Sequence, residues 1–143
     1  MSDGPPLRLV AVDPTDLSVI AACLQDALVP VSDIAALPDE KRFAVALNRF
    51  MWERGESQDK DGPLYYRTHA LLRIDNVSAI RSRGYDRDDR ARILSLMSVR
   101  PGEDSVDLIF AEGAAIRILA APLRATLVDM GEPWPTRWRP GHE

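Results

Sequence analysis

Residues 42–52 read RFAVALNRFMW, and this stretch decides the class of fold more clearly than any other. Apolar side chains alternate there with a second set that is also largely apolar, so a strand formed by these residues would bury both of its faces. Phe43, Val45 and Leu47 fall on one face. Such a strand belongs in the middle of a sheet or between two packing layers. The sequence therefore predicts a β-rich domain built around residues 42–52.

Six further runs with strand-like character follow or precede this stretch, and polar turn signals separate most of them. Successive strands joined by short turns form an antiparallel meander. Residues 53–63 are polar and without period, which predicts a mobile loop. The seven predicted strands are residues 29–37, 42–52, 65–75, 77–85, 93–100, 106–110 and 115–119.

Two helices are predicted outside the run of seven strands. A strand-like segment at residues 7–12 leads into the first helix, for which Asp13 is a favourable N-cap and Pro14 suits the first helical position. Apolar residues then recur at spacings of three and four through residues 17–28. Residues 122–131 predict a second amphipathic helix, with the final glycine as its C-cap.

The predicted fold class is α+β: mainly an antiparallel β barrel, or two packed sheets, of about seven strands. An N-terminal strand–helix unit and a C-terminal amphipathic helix complete it. Closure is favoured because a twisted open sheet exposes its edges. By element count, seven strands and a closing helix resemble the pleckstrin-homology (PH-like) architecture, and a sheet with helices on one face is the alternative. We expect a single domain over residues 1–143, with a flexible N-terminus at residues 1–6 and an irregular Pro/Trp-rich tail at residues 132–143.

Composition argues against several classes of function. The formal net charge is −4, which disfavours a general nucleic-acid binder. The one cysteine, Cys23, lies in an apolar helical run, where we expect a small buried hydrophobe, and a chain without disulfides suits a reducing, cytoplasmic location. No apolar run is long enough to span a membrane. Phosphate-binding, dinucleotide-binding and nucleophile-elbow motifs are absent from the sequence, so we expect neither cofactor nor metal.

Arginines are concentrated in the middle of the chain, where eight arginines and four aspartates lie between residues 65 and 100. Arg67 and Arg73 alternate on one predicted strand, and Arg81 and Arg83 alternate on the next. If these two strands pair as a hairpin, the four arginines form a basic face that could bind phosphate, an acidic protein or a nucleic-acid backbone. The alternative is a solvent-exposed face with weak ion pairs to nearby aspartates.

Three other side chains are candidates for function. His69, within a predicted strand, is a weak candidate for a catalytic acid or base, and a hydrogen-bonded structural histidine is the alternative. His142 is expected in a solvated tail. Trp134 and Trp138 lie in the Pro-rich tail, where they either fold back onto the domain or anchor a partner interface.

Several strings are informative together: LQDA at residues 24–27, KRF at 41–43, LNRFMWE at 47–53, SRG at 82–84, and the tail around Trp134 and Arg137. They resemble a family of small bacterial domains of unknown function, found mainly in alphaproteobacteria. The resemblance runs from about residue 7 to residue 140. It implies a free-standing bacterial cytoplasmic domain and supplies no activity and no catalytic residues.

Three hypotheses for function therefore stand. The first is a non-catalytic protein-binding or adaptor module with an unknown protein partner. The second is a small-ligand-binding protein or an enzyme that uses His69. The third is an oligomeric structural protein that pairs through a strand edge or the tail, so a homo-oligomer remains open. The candidate contact residues under the first hypothesis are Arg67, Arg73, Arg81, Arg83, Trp134 and Trp138.

Overall fold

A computed structural model describes residues 6–141 of the protein, so residues 1–5 of the predicted flexible N-terminus and His142 lie outside the described residues. Within that range the chain forms one α-helix and eleven strands of a single sheet. The helix is α1 (Pro14–Leu24), and the strands are β1 (Arg8–Ala11), β2 (Leu28–Pro30), β3 (Ile34–Leu37), β4 (Arg42–Phe50), β5 (Ser57–Asp59), β6 (Gly62–Ile74), β7 (Val77–Arg83), β8 (Ile93–Gly102), β9 (Ser105–Phe110), β10 (Ala115–Ala120) and β11 (Ala125–Thr136).

Helix α1 begins where its sequence predicts, but it ends at Leu24, and Leu28, the last apolar residue of the predicted helical stripe, lies in β2 instead. The Asp13 carboxylate accepts a hydrogen bond of 2.7 Å from the backbone N–H of Asp16, which satisfies one of the free donors of the first turn. Leu17, Ile20 and Leu24 are buried along one face of the helix. At 11 residues α1 is short, and no helix within residues 6–141 has the length and apolarity needed to cross a bilayer.

The sheet consists of two antiparallel halves joined through the short strand β2. The first half holds β1, β11, β6 and β4 with β3 and β5, and the second half holds β8, β9, β10 and β7. Leu28 of β2 lies opposite Asn48 of β4 on one side and opposite Ser95 of β8 on the other. Helix α1 packs against β8, β1 and β4, so it covers the junction between the halves. The strand order is β1-β11-β6-β4-β2-β8-β9-β10-β7, with β3 paired to β4 and β5 paired to β6.

One hydrophobic core lies between the halves and α1. Phe43, Val45 and Leu47 point into it from β4, which confirms the face predicted from residues 42–52. Ile116 and Ile118 point into the same core from β10. Full burial of each such side chain contributes about 1.5–3 kcal/mol, so these alternating positions determine which residues of each strand remain outside.

The predicted fold class is wrong, because the sheet is open. Strands account for 57% of residues 6–141, and β1 and β7, which end the strand order, pair with each other nowhere in that range. The protein is therefore neither a seven-stranded α+β barrel nor a PH-like fold with a closing helix. A sheet does not have to close to protect its edges, since charged side chains on an edge strand also protect them.

The predicted C-terminal helix is instead most of strand β11. A spacing of four residues returns to the same face in a strand as well as in a helix, so Leu123 and Leu127 fit either period. Buried Ala125 and Leu127 lie two residues apart, and Met130 is exposed, which fits the strand. Gly131 is no C-cap; it lies at φ +78° in the irregular part of β11 between Met130 and Trp134.

Strand boundaries also differ from the predictions. Residues 29–37 divide into β2, a 3-10 turn and β3, because Pro30 cannot donate to a continuing ladder. Residues 53–63, predicted to be a mobile loop, include β5, which pairs with the start of β6. The first five residues of the predicted irregular tail, 132–136, complete β11.

The largest fully buried side chain is charged. Arg49 of β4 is 0% exposed, and its guanidinium donates to both carboxylate oxygens of Asp129 in β11 at 2.8 Å. It also donates to both oxygens of Glu53, in the turn after β4, at 3.0 and 2.7 Å. Because β6 lies between β4 and β11, this cluster, which we call the Arg49 clamp, joins two strands that are not neighbours.

The Arg49 clamp also changes the titration of Glu53. Burial alone would raise the pKa of this carboxyl group, but the hydrogen bonds and charge of Arg49 outweigh that effect and hold the pKa below its ordinary value. Glu53 is therefore a carboxylate throughout the neutral pH range.

Replacing Asp129 with alanine should leave the buried Arg49 guanidinium without its partner on β11. We expect Asp129→Ala to lower the free energy of unfolding by about 3–5 kcal/mol, measured by urea denaturation. The matched control is Asp107→Ala, which breaks the bidentate pair of Asp107 with Arg117 on the surface. It should lower the free energy of unfolding by a clearly smaller amount. Equal losses in the two variants would contradict a structural role for the clamp.

The contribution of Glu53 to stability should depend on pH. Since its folded pKa is lowered, the contribution is complete above the unfolded pKa of about 4.3 and is lost as the pH falls through the folded pKa. We therefore expect the difference in unfolding free energy between the wild type and Glu53→Gln to be largest near neutrality and to shrink in acid. A difference that stays constant in urea titrations across this range would contradict the assignment.

Candidate functional site

Charged residues form a row across the outer face of the second half of the sheet. Asp107 of β9 lies opposite Arg100 of β8 and opposite Arg117 of β10, and Arg117 lies opposite Arg81 of β7. They face outward because their neighbours in sequence, such as Ile116 and Ile118, face the core. Arg83 follows two residues after Arg81 on the same face. We call Arg81, Arg83 and Arg117 the basic edge.

The three guanidinium groups of the basic edge have one carboxylate beside them, that of Asp107. Arg117 binds Asp107 with two hydrogen bonds of 2.9 and 3.0 Å, and this bonding raises the pKa of Arg117. Arg81 lies directly opposite Arg117, an arrangement in which like charges destabilise a sheet. Within residues 6–141, neither Arg81 nor Arg83 forms an ion pair. The site therefore has unneutralised positive charge.

A surface cavity of about 200 Å³ lies at the basic edge, lined by its three arginines and by Asp107, Ile109 and Ala115 among others. Small-molecule pockets usually measure about 300–1,000 Å³. The cavity is thus smaller than a usual small-molecule pocket.

Strand β7 presents an unused backbone edge beside these arginines. It pairs with β10 on one side only, and the N–H of Val77, at its start, donates to the carbonyl of Lys41. From Ser78 to Arg83, no strand of the described chain lies on its other side. Gly84 then ends the strand at φ +80°, in close contact with the backbone of Gly113 and Ala114.

Arg67 and Arg73, the other predicted basic-face residues, lie elsewhere. They are on β6, and β4, β2, β8, β9 and β10 separate that strand from β7 in the strand order. The chain passes from β6 to β7 at Asn76 without pairing the two, because β6 pairs with β4 and β11 instead. The structure thus brings together only Arg81 and Arg83 of the four, and adds Arg117.

Both arginines of β6 are occupied by local partners. Arg67 is 4% exposed and donates to the side-chain oxygen of Asn48 at 2.7 Å, and its burial lowers its pKa. Arg73 contacts the Asp75 carboxylate at 3.3 Å, where Arg42 and Arg124 also bind at 3.2 and 3.7 Å. Neither arginine has the unpaired, exposed character of Arg81 and Arg83.

The two tryptophans of the tail pack back onto the first half of the sheet. Trp134 lies opposite Arg67 in the β11–β6 pairing, and its ring is 4.7 Å from that of His69. Trp138 covers the Arg67 guanidinium at 5.3 Å, with Phe50 on another side at 5.6 Å. Trp138 nevertheless remains 57% exposed. This tryptophan face is separate from the basic edge.

The two residues with potential for chemistry have no catalytic partners in the described chain. His69 is exposed, and its contact there is the Trp134 ring rather than a carboxylate or a nucleophile. Cys23 is only half-buried, whereas a buried side chain was predicted, and burial raises the pKa of its thiol above the ordinary value. A raised pKa leaves less of the reactive thiolate at neutral pH.

Sequence reasoning missed Arg117 and its partner Asp107, although a signal was present. Each is a single charge between two apolar residues, as in Ile116-Arg117-Ile118, and this alternation places the charge on the outer face of a strand. What the sequence could not provide was the strand order that places them beside Arg81.

Fold and site together define an open antiparallel β-sheet protein with a basic edge strand and no assembled catalytic group among its described residues. A family model described as a protein of unknown function, DUF2948, matches residues 7–142. The chain belongs to this family, which confirms the predicted membership of a family of unknown function. No curated protein and no solved structure matches the chain.

Gly84 should be essential to the end of β7, because a Cβ there would lie 2.7 Å from the Cα of Ala114 and would also overlap the Gly113 carbonyl. We expect Gly84→Ala to destabilise the fold by about 1–3 kcal/mol in urea denaturation. Gly113→Ala is the matched control, since it has a similar φ of +84° but open space around its Cβ. A loss no greater than that of the control would contradict the close packing of Gly84.

Proposed function

We propose that this protein is a single-domain, non-catalytic protein-binding module that takes an acidic segment of its partner at the basic edge. The observation that carries the proposal is that Arg81 lies directly opposite Arg117. The three arginines of the basic edge have a single carboxylate, that of Asp107, beside them. Folding alone gives no reason for such repulsion. A partner carboxylate beside Arg81 and Arg83 would relieve it.

The chemistry of the site favours an acidic protein over other anionic partners. Guanidinium groups bind carboxylates through paired, directional hydrogen bonds. Nucleic acid is disfavoured because the protein carries a net charge of −4, and because Asp107 interrupts the row of arginines. The small cavity fits individual side chains, which a protein partner supplies.

The tryptophan face supports the proposal less well. Its arginine, Arg67, is 4% exposed beneath Trp138, so its charge is not accessible to a partner. His69 has no bonded carboxylate among residues 6–141, and the proposal assigns it no proton transfer. A bacterial cytoplasmic location is part of the proposal, because a single cysteine and the family of small bacterial domains resembled by the sequence both suit it.

The proposal is tested by capture of partners from an extract of the source cell with three tagged proteins. The wild type should retain a partner that Arg81→Glu/Arg83→Glu loses, since the charge reversal repels an acidic segment. The fold should survive, because a carboxylate then lies opposite Arg117. Binding of the purified partner should weaken by at least about tenfold.

The matched control is Arg8→Glu/Arg87→Glu. It changes the net charge by the same amount at two exposed arginines, one on β1 at the opposite edge of the sheet and one in the turn after β7. This control should still capture the partner. A partner retained equally by both double variants would contradict the proposal and would direct attention to Trp134 and Trp138.

A further inference from the structure

We infer that the partner binds by strand addition: an extended acidic segment pairs with the free side of β7 and extends the sheet. Carboxylates at alternate positions of that segment then face Arg81 and Arg83. The inference rests on the proposed function and adds to it a mode of binding and a sequence pattern for the partner.

The free backbone of β7 is the first support. Six consecutive residues, Ser78 to Arg83, have β10 on one side and no strand on the other within residues 6–141, and these residues are exposed or half-buried. An exposed edge of this length offers unpaired N–H and C=O groups to an incoming strand. Every strand pairing in the sheet is antiparallel, so we expect the same for the partner.

The spacing of the arginines is the second support. Arg81 and Arg83 are two residues apart on one face, about 6.8 Å along the strand. An added strand has the same repeat, so carboxylates two residues apart lie beside both guanidinium groups. The added carboxylates continue the charged row that runs from Arg100 through Asp107 and Arg117 to Arg81.

A second copy of the chain is the wrong occupant for this edge. Antiparallel pairing of β7 with itself, in a register centred on Arg81 or Ser82, places arginines of the two copies directly opposite each other, and like charges in opposed positions are destabilising. Charged side chains on an edge strand are a known protection against self-pairing. The same charges therefore disfavour self-association and favour an acidic strand.

The test uses the full chain and a fluorescent peptide of about nine residues in which threonine and glutamate alternate. Binding is followed by fluorescence anisotropy. We expect the wild type and Arg8→Glu/Arg87→Glu to bind the peptide, and Arg81→Glu/Arg83→Glu to bind it at least about tenfold more weakly. A peptide of equal composition with its glutamates in one block should also bind more weakly.

Two N-methylated versions of the peptide separate strand pairing from simple charge attraction. One carries N-methyl groups on the glutamates and the other on the threonines, so each blocks one backbone edge of the extended peptide. If the peptide pairs with β7 through one of its two backbone edges, one version should lose binding by about tenfold or more while the other retains it. Equal binding of both versions, at the strength of the parent, would overturn strand addition and leave the proposed function intact.

Absence of binding by the parent peptide at millimolar concentration would also overturn the inference. The proposed function is decided separately, by whether the double variants retain or lose the captured partner. The two can therefore fail independently.

Discussion

The buried guanidinium of Arg49 is the constraint on which the first half of the sheet depends. A charge with no exposure is tolerated in a core only when its hydrogen bonds are satisfied, and four bonds to Asp129 and Glu53 do so. To supply Glu53, the chain must turn immediately after β4. That turn places Trp52 where its indole N–H donates to the carbonyl of Gln25, just after α1. One arginine thus couples β4, β11 and the end of the helix.

Arginine has three different structural roles in this protein, and its surroundings determine which. Arg49 is buried and saturated by carboxylates. Arg67 is covered by aromatic rings and bonded to a neutral amide, so it contributes to packing more than to surface charge. Arg81 and Arg83 are exposed and unpaired in the described chain, and Arg117 beside them is paired with Asp107. Of the three roles, only this last one leaves guanidinium charge exposed at the surface.

Local structure could be predicted from the sequence, and long-range pairing could not. Helix α1 follows from its cap and periodicity, and the inward face of β4 follows from alternation, because both signals lie within a few residues. The helix predicted for residues 122–131 was wrong, because a spacing of four residues fits both the helical and the strand period. Two of the three arginines of the basic edge, Arg81 and Arg83, could be predicted to share a face because they lie two residues apart on one strand. Its third member, Arg117, comes from the β7–β10 pairing, and no local signal specifies which strands pair.

The openness of the sheet is what connects the fold to the inferred function. In the closed barrel that the sequence suggested, β7 would have a partner on each side, and its arginines would be ordinary surface charges. In the open sheet the same strand has an unused backbone edge and unneutralised arginines at the same place. Natural sheets protect such edges with charge, but protection needs no cavity and no arginine opposite another arginine. The free backbone edge, the cavity and the opposed arginines at β7 together exceed what protection requires. An acidic strand would use all three features.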